Sequence, residues 1–173
     1  MLIDSYDSAV INVLDIYMEG CEDITLVEFG RGNGALAEKY LEQGKKVTII
    51  EDFDQQIFQA NWDYYSDYNN ILVRHNVLDE EGWDDLQHTT DLIFCSLPFT
   101  VPHAGDMPDD AYQIMLNKGF LNLTTLLAKG GRLITVDYNT PQIVEAVEGV
   151  NLEITPLIDQ GDDVHYMASV LQQ

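Results

Sequence analysis

Positive charge is scarce in this sequence: eight Lys plus Arg stand against 30 Asp plus Glu, a formal net charge of −22 over 173 residues. Nucleic-acid binders neutralise phosphates with a basic stripe, and the only basic cluster here is the pair Lys45-Lys46. Direct nucleic-acid binding is therefore disfavoured unless a basic partner supplies the affinity. The same repulsion acts against anionic membrane surfaces. Cysteine is scarce too: Cys21 and Cys95 show no metal-ligand spacing, which argues against a disulfide scaffold and leaves no metal site to expect. No apolar run approaches the roughly 20 residues that span a bilayer. The start MLIDSYDSAV lacks the basic and apolar segments of a secretion signal, so no transmembrane segment and a cytoplasmic location are the expectations. Repeats, low-complexity tracts and linkers are missing as well.

What is present is core material. With 46% apolar residues the chain can fill one well-packed core, and its length points to a single domain over residues 1–173. The acidity has three readings: solubility or adaptation to high salt, a basic partner, or mimicry of nucleic-acid charge. The first carries most weight, because net charge bears on solubility and association rather than on fold.

From residue 24 onward, short runs rich in Val and Ile alternate with stretches of helical period, the pattern of a parallel sheet covered on both faces. Strands are predicted at 24–29, 46–50, 71–75, 91–96, 132–137, 151–155 and 164–171. Helix faces follow from Leu36, Ala37, Tyr40 and Leu41, from Ile57, Phe58 and Trp62, and from Tyr112, Met115, Leu116, Phe120, Leu123 and Leu127. The last of these helices begins behind Pro108 with Asp109 and Asp110 in its first turn, and is expected to stop at Gly130-Gly131. An N-terminal helix over about 4–18 follows from Tyr6, Val10, Val13, Leu14 and Tyr17 behind a Ser5 cap. Only a polar turn around Asp159-Gln160-Gly161-Asp162-Asp163 joins the last two strands. That is too short for a crossover, so these strands must pair antiparallel. The expected architecture is a three-layer α/β/α sandwich around a seven-stranded, mostly parallel sheet.

The first strand runs into Gly30-Arg31-Gly32-Asn33-Gly34 and then a helix, so backbone N–H groups face whatever lies above the carboxyl edge of the sheet. Seventeen residues after Gly34 the second strand ends in Glu51, where an acid accepts hydrogen bonds from both ribose hydroxyls of a nucleoside cofactor. Gly30, Gly32 and Ala35 also satisfy the looser dinucleotide fingerprint, which makes nicotinamide binding the competitor. Three features count against it. Glu28 lies within the strand before the loop, where burial is costly unless the acid serves loop or ligand. The chain ends in an antiparallel hairpin, and it is too short for a substrate domain.

With these motifs the chain resembles, over nearly its whole length, the class I S-adenosylmethionine-dependent methyltransferases, which have a Rossmann-like fold. The segment VEFGRGNG is similar to the family's first motif. The resemblance implies S-adenosyl-L-methionine as cofactor, with Glu28 serving its methionine ammonium and Gly30, Gly32 and Gly34 forming the cofactor turn. It makes Glu51 the ribose ligand and sets Phe53 against the adenine. Asn76, where the family usually has Asp, would accept from the adenine amino group beside the Val77 N–H. It also implies a reversed seventh strand, as the short turn already requires.

The fourth strand ends in Ser96-Leu97-Pro98-Phe99, at the edge where chemistry belongs in an open parallel sheet. This tetrad resembles motifs of adenine N-methyltransferases acting on DNA or ribosomal RNA. Together with the long helix, Gly130-Gly131 and Tyr138, it also resembles bacterial phospholipid N-methyltransferases. Ser96 Oγ and the Leu97 carbonyl would accept hydrogens from an acceptor amine, freeing its lone pair, while Phe99 stacks on a planar or cationic group. His103 is a candidate general base and Asp137 a candidate attractor of cations, though a solvated loop residue is the plainer reading of each. Trp62, Tyr64, Tyr65 and Tyr68 read first as helix packing and second as a stacking platform.

The leading expectation is N-methylation of a small-molecule, lipid-headgroup or peptide-borne acceptor. The alternatives are adenine methylation in RNA or DNA with a basic partner, and a non-catalytic binding module or acidic decoy. A homodimer is left open.

Overall fold

In the first strand Ile24 and Leu26 point to one side and Thr25 and Val27 to the other, and all four are at most 1% exposed. A strand buried on both faces needs layers on both sides, which is why it reads as a nearly continuous apolar run rather than an alternating one. The computed structural model describes residues 14–28, 34–51, 63, 67–68, 71–75, 84–96, 108–138, 141–150, 153–159 and 166–172. Its elements are β1 (Asp23–Glu28), α1 (Gly34–Glu42), β2 (Lys46–Glu51), β3 (Ile71–His75), β4 (Thr90–Ser96), α2 (Asp109–Leu126), β5 (Leu127–Tyr138), α3 (Pro141–Glu148), β6 (Glu153–Asp159) and β7 (Tyr166–Gln172).

The strands form one sheet in the order β3-β2-β1-β4-β5-β7-β6. The pairs from β3 through to β5 are parallel. β7 runs antiparallel to β6, as the short turn required, and to β5 as well. One face packs Ile24, Leu26, Val47, Ile49, Leu92, Phe94 and Ile134 against Leu36, Ala37, Tyr40 and Leu41 of α1 and against Leu14 and Met18. The other face packs Val27, Ile50, Ile93, Cys95 and Leu133 beneath α2 and α3. Each large apolar side chain so buried contributes about 1.5–3 kcal/mol, so these two layers hold the sheet. Of the expected N-terminal helix, residues 14–17 are helical and a turn follows at 18–20, while residues 4–13 lie outside the described residues. The helix face expected from Ile57, Phe58 and Trp62 also lies outside them.

Three boundaries differ from expectation by more than two residues. α2 begins behind Pro108 as expected but ends at Leu126 rather than at Gly130-Gly131. The segment before β4 cuts it short: the His88 and Thr89 N–H groups donate to the Thr125 and Leu126 carbonyls at 3.0 and 3.1 Å, capping carbonyls that a helix end otherwise leaves open. Leu127 is then extended and pairs with Thr90, and the register shifts before Leu92 meets Arg132. The two glycines lie inside this irregular start of β5, Gly130 at φ +80° and Gly131 where a Cβ would meet the Ala128 and Thr90 carbonyl oxygens at 2.8 and 2.9 Å. β6 is described from Glu153 and runs on to Asp159 rather than ending at 155. It continues through Pro156 by a register shift beside that residue, tolerated because β6 is the edge strand. Helix α3 was not expected. Its signals are a proline at the first helical position and Ile143, Ala146 and Val147 buried at helical spacing.

Buried polar atoms are few. The Thr25 and Thr90 hydroxyls share a hydrogen bond at 3.0 Å. Tyr40 Oη is buried and has no hydrogen-bond partner among the described residues. Burial, and after it the Asp15 charge, pushes its hydroxyl up to about 12.

Two outcomes follow. Gly131→Ala should destabilise the fold by about 1–3 kcal/mol, because both crowding atoms are backbone oxygens that cannot swing away; urea unfolding reads this directly, and an unchanged midpoint would refute it. Tyr40 retains its proton in the fold up to about 12, whereas the unfolded chain loses it near 10. Its contribution is thus fully present below pH 10 and lost as pH rises from 10 through 12, on the order of 2 kcal/mol. Tyr40→Phe should shrink this alkaline loss and change stability at pH 7 by no more than about 1 kcal/mol, measured by urea unfolding of both proteins across that range.

Candidate functional site

Because both faces of β1, β2 and β4 are covered, polar chemistry is confined to the two edges of the sheet. The amino edge is closed by ion pairs and clips. The Glu22 and Asp23 N–H groups donate to Asp91 Oδ2 at 2.9 and 3.0 Å, Lys46 Nζ donates to Asp23 Oδ2 at 2.6 Å, and Lys45 Nζ donates to the Cys21 carbonyl. The Arg132 guanidinium lies 5.5 Å from the centre of the Tyr17 ring. Four of the eight cations, counting Lys39 paired with Asp15 at 2.6 Å, are thus engaged near this edge or on the helix returning to it.

The carboxyl edge is different. β1 pairs with β2 on one side and β4 on the other, so the winding of the chain reverses between β1 and β4. In open α/β sheets that switch point is where ligands bind. β1 ends at Glu28, β2 at Glu51 and β4 at Ser96. In the backbone register Glu28 pairs with Glu51 and Glu51 pairs with His75, so three strand ends line up at about 4.8 Å spacing. On the other side of β1, Val27 pairs with Cys95, so Ser96 follows beside Glu28, and Ser96 pairs with Val136 one residue before Asp137. Helix α1 begins at Gly34, six residues beyond the end of β1 at Glu28. It returns beneath the sheet with Leu36, Ala37, Tyr40 and Leu41 buried, which turns its amino end and the positive end of its dipole toward the carboxyl edge.

Of the predicted site residues, the structure brings Glu28, Gly34, Glu51 and Ser96 to this edge as backbone positions. Gly30, Gly32, Phe53, Asn76, Val77, Leu97, Pro98, Phe99 and His103 lie outside the described residues, as do Trp62, Tyr64 and Tyr65. Tyr68 is exposed. His75, the register neighbour of Glu51, was not singled out from the sequence; its signal was its place as the last residue of ILVRH. Among the described residues no group of three or more His, Cys, Asp or Glu side chains is arranged to hold a metal ion. None of the described helices is long and apolar enough to cross a membrane.

Solved structures share this arrangement over most of their length. The N-methyltransferase NodS from Bradyrhizobium japonicum WM9, in complex with S-adenosyl-L-homocysteine, superimposes with a TM-score of 0.64 at 14% identity, over 96% of this chain and 86% of that one. The 1,6-didemethyltoxoflavin-N1-methyltransferase of Burkholderia thailandensis, with bound 1,6-didemethyltoxoflavin and S-adenosylhomocysteine, gives 0.57 at 17% identity over 98% and 81%. A geranyl diphosphate methyltransferase in complex with GPP and sinefungin gives 0.64 at 14% identity over 95% and 78%. The chain has the class I methyltransferase fold. Other neighbours are about twice as long, this chain spanning 46% and 53% of them. No family model and no curated protein matches the sequence. Within the methyltransferase fold the reversed β7 is what separates this sheet from the all-parallel dinucleotide-binding sheet, whose strand order is 3-2-1-4-5-6.

The two thiols stand apart from this chemistry. Cys21 is 7% exposed and Cys95 fully buried. Burial, then the Asp91 carboxylate, raises the Cys21 thiol against the opposing pull of Lys45 and Arg132. Its Sγ–H donates to the Tyr17 carbonyl at 3.3 Å. Neither thiol is set up as a nucleophile. A thiol-specific disulfide reagent should therefore titrate both only on unfolding, with native rates more than about a hundredfold below those in urea; fast native labelling of either would contradict this.

Proposed function

We propose that this protein is an S-adenosylmethionine-dependent methyltransferase, acting at nitrogen on a small-molecule, lipid-headgroup or peptide-borne acceptor in the cytoplasm. The observation that carries the reading is the register of Glu28 with Glu51 at the switch point, in a sheet whose order and reversed β7 are those of the methyltransferase fold. The bound S-adenosylhomocysteine and sinefungin of the neighbours support the same cofactor.

The residues present fit this group. A short glycine-rich connection between a strand end and a helix start gives backbone N–H groups close access to a ligand. In this reading Gly30, Gly32 and Gly34 form the turn, Glu28 serves the ammonium end, and Glu51 accepts from the ribose hydroxyls. Phe53, Asn76 and Val77 contact the adenine. When bound, the cofactor supplies an electrophilic methyl on a sulfonium. Holding the two reacting atoms in line is the main contribution the protein can make. Ser96 Oγ and the Leu97 carbonyl orient the acceptor amine by accepting its hydrogens, Pro98 keeps that carbonyl's segment extended, and Phe99 stacks on the acceptor. The proton released from nitrogen leaves to solvent or to His103.

Calorimetric titration should show binding of S-adenosylmethionine and none of NAD. Glu51→Ala should weaken that binding more than tenfold, about 1.4 kcal/mol, with Glu51→Gln in between. Unchanged affinity in Glu51→Ala removes the ribose role, and NAD binding in place of S-adenosylmethionine overturns the reading. Labelled methyl incorporation into amine-containing metabolites and lipids, with RNA as the contrasting fraction, tests the acceptor class.

A further inference from the structure

Beyond Ser96 the carboxyl edge is continued by β5 and β7. Ser96 pairs with Val136, and β5 runs two residues further to Tyr138, which pairs with Tyr166 at the start of β7. At about 3.3 Å per residue along a strand and about 4.8 Å between strands, the Tyr138 backbone stands about 8 Å from that of Ser96. Alternation along the strands then sorts the faces. Leu26, Ile49, Phe94 and Ile134 belong to the α1 side of the sheet, so even steps along their strands put Glu28, Glu51, Ser96 and Tyr138 at positions of that same face. Directly paired antiparallel residues also share a face, with Cβ atoms about 4.5–5.5 Å apart, which adds Tyr166. Two tyrosines thus take adjacent positions on the face and edge that carry the proposed cofactor and acceptor residues.

The charge around this pair has one sign. Residues 133–173 hold seven Asp and Glu and no Lys or Arg, and Arg132 lies toward the amino edge, beside the Tyr17 ring. In the row next to the tyrosines, Met167 pairs with Asp137 on one side and with Asp159 on the other, which puts both carboxylate positions within about a Debye length of the pair. From β5 onward the edge therefore has no Lys or Arg to pair with an acceptor's phosphate or carboxylate, and its own carboxylates repel such groups. A cation is drawn in by the same carboxylates, and tyrosine ring faces hold large, weakly hydrated alkylammonium groups. We propose that Tyr138 and Tyr166 are the specificity-determining pair of the acceptor site. They select an amine whose nitrogen already carries alkyl groups, on a molecule free of phosphate and carboxylate. This deepens the methyltransferase reading and rests on it.

Calorimetric titration of the protein saturated with S-adenosylhomocysteine tests it, with choline, its neutral carbon isostere dimethylbutanol, and phosphocholine as the probes. Choline is fully alkylated at nitrogen and cannot be methylated, so binding is read without turnover. The wild type should bind choline about fivefold or more tightly than either of the others. Tyr138→Leu and Tyr166→Leu should each lower that preference about threefold or more, with affinity for the isostere unchanged to within about twofold. Tyr138→Phe and Tyr166→Phe should keep it, because the ring face and not the hydroxyl attracts the cation. A tyrosine pair that only fastens β5 to β7 shifts choline and its isostere together and spares neither. With S-adenosylhomocysteine bound, choline held no more tightly than its isostere overturns the proposal, as does a preference that survives both leucine substitutions or tighter binding of phosphocholine. Protein that binds no S-adenosylhomocysteine overturns the methyltransferase reading, and this inference with it.

Discussion

The constraint on which the rest depends is the two-sided burial of the parallel strands β1, β2 and β4. Ile24, Thr25, Leu26 and Val27 are each at most 1% exposed, as are Val47 through Ile50 and Leu92 through Cys95. With helices over both faces, no charged side chain projects from the middle of these strands; the polar ones there are the buried threonines Thr25 and Thr48, and Thr25 shares a hydrogen bond with Thr90 at the start of β4. Ionisable groups are driven to the strand ends. The sheet thereby acquires two distinct rims, and the positions of Asp23, Glu28, Lys46, Glu51, Asp91 and Ser96 are consequences of the burial between them.

The rims are put to different uses. At the amino rim, acceptors meet cations or backbone donors: the Asp23 carboxylate with Lys46, the Asp91 carboxylate with two N–H groups, and the Cys21 backbone carbonyl with Lys45. Four of the eight Lys and Arg are engaged there or on α1, while Arg31 follows β1 and Arg74 is the last residue but one of β3. Most surface ion pairs contribute less than about 1 kcal/mol, so the gain lies less in stability than in fixing where β1, β2 and β4 start. Their register, set at one end, decides which residues coincide at the other.

That coincidence was legible in the sequence because each part has its own local signal: an apolar run, glycines where backbone must be open, and an acid where the next run stops. The antiparallel pairing of β6 and β7 was legible from loop length alone. The end of α2 was not, because it is set by His88 and Thr89, nearly forty residues earlier in the chain, donating to its last carbonyls. Helical periodicity has no access to such a contact, and Gly130-Gly131 looked like a stop when Gly131 instead permits close approach to the Thr90 carbonyl. Helix α3 escaped notice because eight residues carry barely two turns of pattern. His75 shows the same limit at the candidate site: its adjacency to Glu51 is a property of sheet order, which no single strand reveals.

For the proposed reaction, the acidic carboxyl rim bears on the choice of acceptor. A sulfonium donor is a cation and its thioether product is not, so in the proposed reading strand ends carrying Glu28, Glu51 and Asp137 would favour the donor over the product in binding. Attraction to the ground state alone would slow the chemical step, since only interactions kept or strengthened in the transition state accelerate it. With a neutral amine as acceptor the positive charge is not lost; it passes from sulfur to nitrogen within the same field, and the attraction is retained throughout. With an anionic oxygen or carbon nucleophile the charge is annihilated, the attraction is forfeited, and the nucleophile is itself repelled by the rim. In the proposed reading an acidic rim is compatible with transfer to nitrogen and works against transfer to an anion; a neighbour of the same fold is bound to GPP, so this preference would come from the carboxylates of this chain and not from the fold.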